Sequence, residues 1–385
     1  VEFELDKSQK EIQKAVRDFC RGQFEKDSIL EAIGERKFPS KIWKKAAQLG
    51  FSGIHIPENL GGGGMGLFEY VLAAEEMCRK DSSAGMALML AGLGCEAIFR
   101  FGDQQLAEKY LPPVASGKKR AAAALFGPSA GQDISVTGTG AKEKSGNWII
   151  NGTKAYVPNG ACADFYVVLC GHDQSGAEPY KDNLFLIVVD RDAEGINIEP
   201  AGPTLGANLM DFAHVTFENV SVPQSNQIDK PGSGMNHSAQ FLNEARIQVA
   251  ALALGTARGA FDRASDYVRQ RRQFGKRLAE FQITRHKLAD MAQHIDLAAC
   301  IVYQAAAAFD SNKCDAKTAA SAKLAATAAA LAVTDEAVQL LGGYGYMTEY
   351  EVEHFYRDAK TLEIFLGTPA VLKEIIAGAV IGRLK

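Results

Sequence analysis

The hydrophobic spacing predicts an α+β multidomain chain, helical at both ends and built of strands in the middle. Over residues 1–120, and again beyond 232, apolar side chains recur at helical spacing, while between 121 and 231 they fall in short β-rich runs. Those runs follow one another without intervening helices, which argues an antiparallel barrel or sandwich and not a doubly wound sheet. With 385 residues, 47% of them hydrophobic, the chain can bury a core large enough for several subdomains. The expected division is an N-terminal helical domain over 1–120, a middle β-domain over 121–231 and a C-terminal helical bundle over 232–385.

Ser8 with Glu11 is a candidate capping box opening a long amphipathic helix that carries Ile12, Val16, Phe19 and Phe24. Trp43–Leu49 reads as a second helix, closed by Gly50 in a left-handed conformation. The run Gly61–Gly64 lacks the Lys-Ser/Thr of a phosphate loop and reads as a flexible linker before a helix over Leu67–Arg79. Asp103 caps a short helix expected to stop at Pro112-Pro113. Strands are expected at 121–126, 148–157, 164–170, 184–190 and 214–220, with Asn151-Gly152 as a hairpin signal. Beyond Met235 the stripe Leu288, Met291, Ile295, Ala298, Ile301 or Val302, and Ala305 marks a buried helix face. Alanine is dense over 297–332, and small side chains allow close helix approach on more than one face, within the subunit and between subunits.

Composition narrows the function classes. A net charge of −4 without basic blocks gives no footprint for nucleic acid, so a small-molecule partner is expected. The Ala-rich stretches are broken by Lys, Thr, Gln or Arg, so no membrane span is expected. Seven scattered cysteines, none spaced as CxxC, read as reduced, mostly buried thiols; neither a structural disulfide nor a metal site is expected. The N-terminus is charged from Glu2 onward, so the expected location is cytoplasmic, or the mitochondrial matrix for a mature eukaryotic chain. No GxGxxG opens a βαβ unit, which argues against the usual dinucleotide fold.

Four separated blocks carry a resemblance: Gly127-Pro128-Ser129-Ala130-Gly131-Gln132-Asp133, Arg271-Arg272-Gln273-Phe274-Gly275-Lys276, Gln339 to Tyr346, and Tyr356-Arg357-Asp358-Ala359-Lys360. In this order they resemble the acyl-CoA dehydrogenases, flavoenzymes that desaturate acyl thioesters between C2 and C3. The resemblance spans essentially the whole chain. It implies an N-terminal helical domain, a middle β-domain and a C-terminal four-helix bundle, with FAD between the last two, acyl-CoA as substrate and an electron-transferring flavoprotein as electron partner. It also implies a homo-oligomer, a tetramer or at least a dimer, or a heteromer with a related subunit.

In that family the RDAK tetrad is followed by an aromatic-Glu-Gly-Thr run whose Glu takes the C2 proton. This chain reads Phe365-Leu366-Gly367-Thr368, with leucine at the position of the base. The family's other seat for the base directly precedes an arginine, here Arg246, and the residue there is Ala245. Glu244 and Glu363 are the nearby carboxylates. A one-residue step on a helix turns a side chain by about 100°, so Glu244 should point away from the cleft unless the register slips. His354 and Tyr356 qualify as acids or bases by residue type alone.

The implied flavin contacts divide. Phe126 and Gln132 stand in the loop that usually offers a threonine hydroxyl to the flavin, and Tyr156 and Pro158 in the strand whose threonine usually serves N5. Proline has neither hydroxyl nor N–H. The resemblance places Arg271, Phe274, Gln339, Gly342 and Gly343 across a dimer interface, at the adenine and pyrophosphate half of a neighbour's FAD. Arg271 also has a plainer reading, as part of a solvated cationic patch over Arg269–Lys276. Thr368 is retained on the cofactor side, and Asn243, Arg246, Leu366 and Gly367 fall at substrate-side positions. Three functions fit: an acyl-CoA flavoenzyme with a relocated base or a bulky or cyclic substrate, a silent partner subunit of a heteromeric dehydrogenase, or a flavin-free acyl-CoA-binding protein.

Overall fold

The computed structural model describes residues 4–131, 133–173 and 183–382, so the candidate Gln132 lies outside the described residues. Seven helices come first: α1 (Lys7–Gln23), α2 (Lys26–Glu35), α3 (Ser40–Gln48), α4 (Leu67–Lys80), α5 (Ser82–Met89), α6 (Cys95–Phe101) and α7 (Gln104–Ala115). The box that opens α1 is not Ser8 with Glu11. Asp6 accepts from Gln9 N while the Gln9 side chain accepts from Asp6 N, because the helix starts two residues earlier than the Ser8 reading implies. Helix α7 runs through Pro112 and Pro113 to Ala115. It ends where Pro113 O accepts from Lys118 N and Lys119 N, since prolines in a last turn remove few bonds. The glycine run is not a loose linker. Gly62, Gly63 and Gly64 donate to Pro57 O, Gly53 O and Ile56 O, and a Cβ on Gly62 would overlap the Ile56 backbone.

The strands are β1 (Ala121–Ala124), β2 (Thr139–Lys144), β3 (Asn147–Pro158), β4 (Phe165–His172), β5 (Leu184–Asp190), β6 (Ile196–Pro200) and β7 (Phe212–Pro223). They form one curled sheet that is antiparallel except where β1 and β2 lie end to end along one edge of β4, both parallel to it. Strand β4 alternates between two cores. Phe165, Val167 and Leu169 face the helices, and Tyr166, Val168 and Cys170 pack with Trp148, Ile187 and Phe217. Asn151-Gly152 is not a hairpin turn but a bulge inside β3, where the register to β7 shifts, and the β2–β3 turn is made by Ser145-Gly146, both at positive φ.

The chain then returns to helices: α8 (Gly234–Gln270), α9 (Gln282–Asp310), α10 (Ala316–Leu341), α11 (Val352–Ile364) and α12 (Pro369–Ile381), with a small hairpin of β8 (Arg272–Gln273) and β9 (Lys276–Arg277) after α8. The α9 stripe is buried at Met291, Ile295, Ala298, Val302 and Ala305 as its spacing requires, while Leu288 at its start is only half-buried. Glycines as well as alanines set the packing: a Cβ on Gly255 or Gly259 of α8 would collide with the carbonyls of Glu75 and Arg79 on α4. Asp310, at the end of α9, accepts from Leu67 N and Phe68 N at 2.7 and 2.9 Å, and so caps α4 from the far side of the chain. Contrary to the sequence reading, Ala316–Tyr346 is long and apolar enough to cross a membrane. Its charged residues are few, and nearly half of its apolar stretch is buried inside the protein, as in the core helix of a bundle.

Candidate active site

An apolar cleft of about 490 Å³ opens where the sheet meets α11. Its walls are the loop after β1 (Phe126, Gly127, Pro128), the end of β3 (Tyr156, Val157, Pro158), Thr204 and Leu205, Phe212, and Lys360, Thr361, Ile364, Phe365 and Leu366 on the α11 side. Strand β3 bends here because its register to β7 shifts again between Lys154 and Val157. Tyr156 (φ 50°) and Asn159 (φ 56°) take left-handed conformations on either side of Pro158. Tyr156 is thereby turned outward, edge-on to His214 at 4.9 Å. The loop from Leu125 to Thr137 is held from behind by buried Lys154, whose Nζ donates to Leu125 O at 2.9 Å and Thr137 O at 2.7 Å.

No carboxylate and no imidazole lines this cleft among the described residues. Leu366, buried and at φ 53°, forms part of its wall, and Ala245 is buried. Glu244 does not reach the cleft. It is 1% exposed and makes a two-pronged ion pair with Arg100, at 2.6 and 2.7 Å; burial pushes its carboxyl up while Arg100 pulls it down. Its neighbourhood is a buried polar cluster in which Gln248 donates to Glu96 at 2.8 Å and His55 Nε2 lies 3.2 Å from the same Glu96 oxygen. Glu363 pairs with Lys360 at 2.6 Å and is absent from the lining. His354 is fully buried against Asp81 at 3.1 Å, and half-exposed Tyr356 lies outside the lining.

Behind Leu366 stand two buried cations. Arg246 Nε donates to Leu366 O at 3.4 Å and Nη1 to Asn243 Oδ1 at 3.0 Å. Lys323 Nζ donates to Gly367 O at 2.5 Å and Glu363 O at 3.2 Å. Desolvation brings Arg246 down to about 10, and desolvation with the Arg246 charge brings Lys323 down to about 7. Lys323 is a residue that sequence reasoning missed, because within an alanine-dense helix nothing distinguishes an inward lysine from a solvated one. The RDAK tetrad was legible as a motif; its Lys360 lines the cleft, and its Arg357 and Asp358 hold backbone. Asp358 accepts from Ser82 Oγ, Ser83 Oγ and Ala207 N at 2.5 to 2.6 Å, and Arg357 Nη1 donates to Leu205 O at 2.8 Å. Both tie the Thr204–Asn208 loop, and so one cleft wall, to α11.

A second groove, about 600 Å³, brings together Arg271, Gln339, Gly342 and Gly343 with Tyr267 and Tyr344. The Arg271 guanidinium lies 5.4 Å from the Tyr344 ring centroid, and no carboxylate among the described residues pairs with it. Phe274 is not in the groove lining. It projects from the β8–β9 turn, 93% exposed, at φ 52°. Thr368 sits at the N-cap of α12 without a side-chain cap bond, and Gly367 takes φ 137° beside Arg246.

Two parts of this donor set bear on FAD. The second groove suits a pyrophosphate, since it offers a guanidinium with no ion-pair partner among the described residues. The cleft suits an aromatic ring by its apolar lining, without the polar contacts that Phe126 and Pro158 cannot make. The two cavities share no lining residue.

Comparison with known proteins agrees with this division into helical, β and helical parts. Family models for the acyl-CoA dehydrogenase N-terminal, middle and C-terminal domains match residues 6–118, 122–220 and 232–381. The chain is 35% identical to an acyl-CoA dehydrogenase of Bacillus subtilis, covering 96% of this chain and 97% of that one. It is 33% identical to a caffeyl-CoA reductase–Etf complex subunit of Acetobacterium woodii, covering 97% and 98%. Among solved structures, butyryl-CoA dehydrogenase from Megasphaera elsdenii superposes with a TM-score of 0.94 at 32% identity, over 99% of this chain and 100% of that chain. The matched ranges and the superposition agree, and the chain belongs to the acyl-CoA dehydrogenase family, with that family's three-domain fold.

Proposed function

We propose that this chain is an FAD-dependent oxidoreductase of the family that binds an acyl-CoA thioester in the apolar cleft but does not carry out ordinary C2–C3 desaturation with a base of its own. The observation that carries this reading is the lining: the position of the usual base presents Leu366, Ala245 fills the alternative seat, and both nearby carboxylates are held in ion pairs elsewhere. FAD, when bound, would supply hydride exchange. Of the chain's own residues, Leu366, Phe365 and Phe212 would wall in a bulky or cyclic acyl group, and Asn243 and Arg246 would lie on the thioester side. Arg271, Gln339, Gly342 and Gly343 would take the adenine and pyrophosphate half of a nucleotide seated in a neighbouring subunit, which requires at least a dimer. An electron-transferring flavoprotein is the proposed electron partner, in keeping with a relative named as a subunit of an Etf complex.

One observation favours a second reading. Phe126 and Pro158, which depart from the family pattern, line the cleft for the chain's own flavin ring, whereas Arg271, Gln339, Gly342 and Gly343, which keep it, line the groove assigned to a neighbour. A silent partner that completes a sister subunit's FAD site would show this division. The test is the visible flavin spectrum of the chain purified alone and after co-expression with a related subunit. The first reading expects yellow protein that bleaches anaerobically with a bulky or cyclic acyl-CoA. Colourless protein that gains flavin only with a sister subunit would replace it with the second.

A further inference from the structure

The turn that carries Leu366 is held by N–H donors from two other helices and not by its own side chains. Helix α11 ends at Ile364, with Phe365 N donating back to Thr361 O, and this end carries the negative end of the helix dipole. Lys323, fully buried on α10, donates to Glu363 O and Gly367 O, one on each side of the turn. Arg246, on α8, donates to Leu366 O between them. No carboxylate among the described residues forms an ion pair with either group, and the Glu363 side chain is engaged by Lys360. A leucine at φ 53° costs on the order of 1 kcal/mol or more and persists only where its surroundings impose it. Three backbone contacts from two other helices are that constraint.

We propose that Lys323 is a positioning residue for the cleft: together with Arg246 it fixes the backbone from Glu363 to Gly367, and so sets the wall that Phe365 and Leu366 present to an acyl ligand. The contacts are to carbonyls, so the clamp does not depend on which side chain stands at 366. Its effect on ligand rests on the proposed acyl-thioester reading; its effect on the turn does not.

Lys323→Met keeps the length of the stem and removes the ammonium. In the full-length, ligand-free protein, hydrogen exchange of the amides from Leu366 to Thr368 is expected to speed up about tenfold or more, with α4 and the centre of α10 unchanged, as for the loss of roughly 1.4 kcal/mol of cation-to-carbonyl bonding. The Kd for octanoyl-CoA, used as the probe, is expected to rise by a similar factor while the melting temperature stays within a few degrees. Arg246→Lys withdraws the Nε contact while keeping a buried cation, and serves in the same exchange measurement where the Met variant does not fold. Unchanged exchange at the turn would overturn the clamp. Faster exchange with an unchanged Kd would overturn the link to ligand. Wild-type protein that binds neither octanoyl-CoA nor a cyclic acyl-CoA, with exchange at the turn still faster in the variant, would sink the acyl-thioester reading and leave the clamp standing.

Discussion

Leu366→Glu is expected to raise octanoyl-CoA desaturation by about 10² to 10⁴ over the wild-type chain in protein that holds flavin, the range that a positioned general base contributes. Residue 366 already lines the cleft, so the new carboxylate enters without rebuilding the turn. Two buried cations stand directly behind it, and their charge favours the ionised form that can take a proton from C2. The same carboxylate would in turn relieve the desolvated Lys323 and Arg246, so the variant should fold at least as well as the parent. Leu366→Gln is the control: similar in volume to the glutamate variant and unable to act as a base, it should stay at the parent rate. Dye-linked turnover measures all three. Pro158 limits the gain, since it offers neither N–H nor hydroxyl to a flavin ring, and Pro158→Thr added to Leu366→Glu should increase the rate further. No gain from Leu366→Glu in protein without flavin would favour the partner-subunit reading.

Arg271→Ala is expected to weaken FAD retention about tenfold to more than a hundredfold, the equivalent of roughly 1.5 to 3 kcal/mol for one charge-assisted bond. The prediction rests on the half-buried guanidinium lying over Tyr344 in a groove with Gln339 and the Gly342-Gly343 turn, with no carboxylate among the described residues to satisfy it. Fluorescence titration with FAD measures the effect. If the chain serves a sister subunit, the loss should appear in flavin bound by the sister. Unchanged retention would leave Arg271 as part of the solvated patch over Arg269–Lys276.

The order helical, β, helical was legible because the hydrophobic period changes twice along the chain, and Leu366 stood out because a motif surrounds it. What the sequence hid is non-local. Strands β1 and β2 share one edge of β4, a parallel arrangement that no local pattern signals in Ala121–Ala124 or in the polar Thr139–Lys144. Asn151-Gly152 suits a hairpin equally well as a bulge, and pairing with β7 decides between them. Helical geometry alone turned Glu244 from the cleft, but that it is fully buried depends on Arg100, 144 residues away in the chain. Lys323 could not be found at all without knowing that the turn after α11 lies against it.

The central claim is that no group of this chain takes a proton from C2 of a bound acyl thioester. Its most direct test needs no flavin turnover: octanoyl-CoA is incubated with the wild-type protein in D2O, and its C2 protons are followed by NMR. The expected result is loss of the C2 signal no faster than in buffer, with Leu366→Glu as the positive control that accelerates it. Catalysed deuterium incorporation at C2 by the unmodified chain would contradict the claim and point to Glu244 or Glu363, released from its ion pair, as the base.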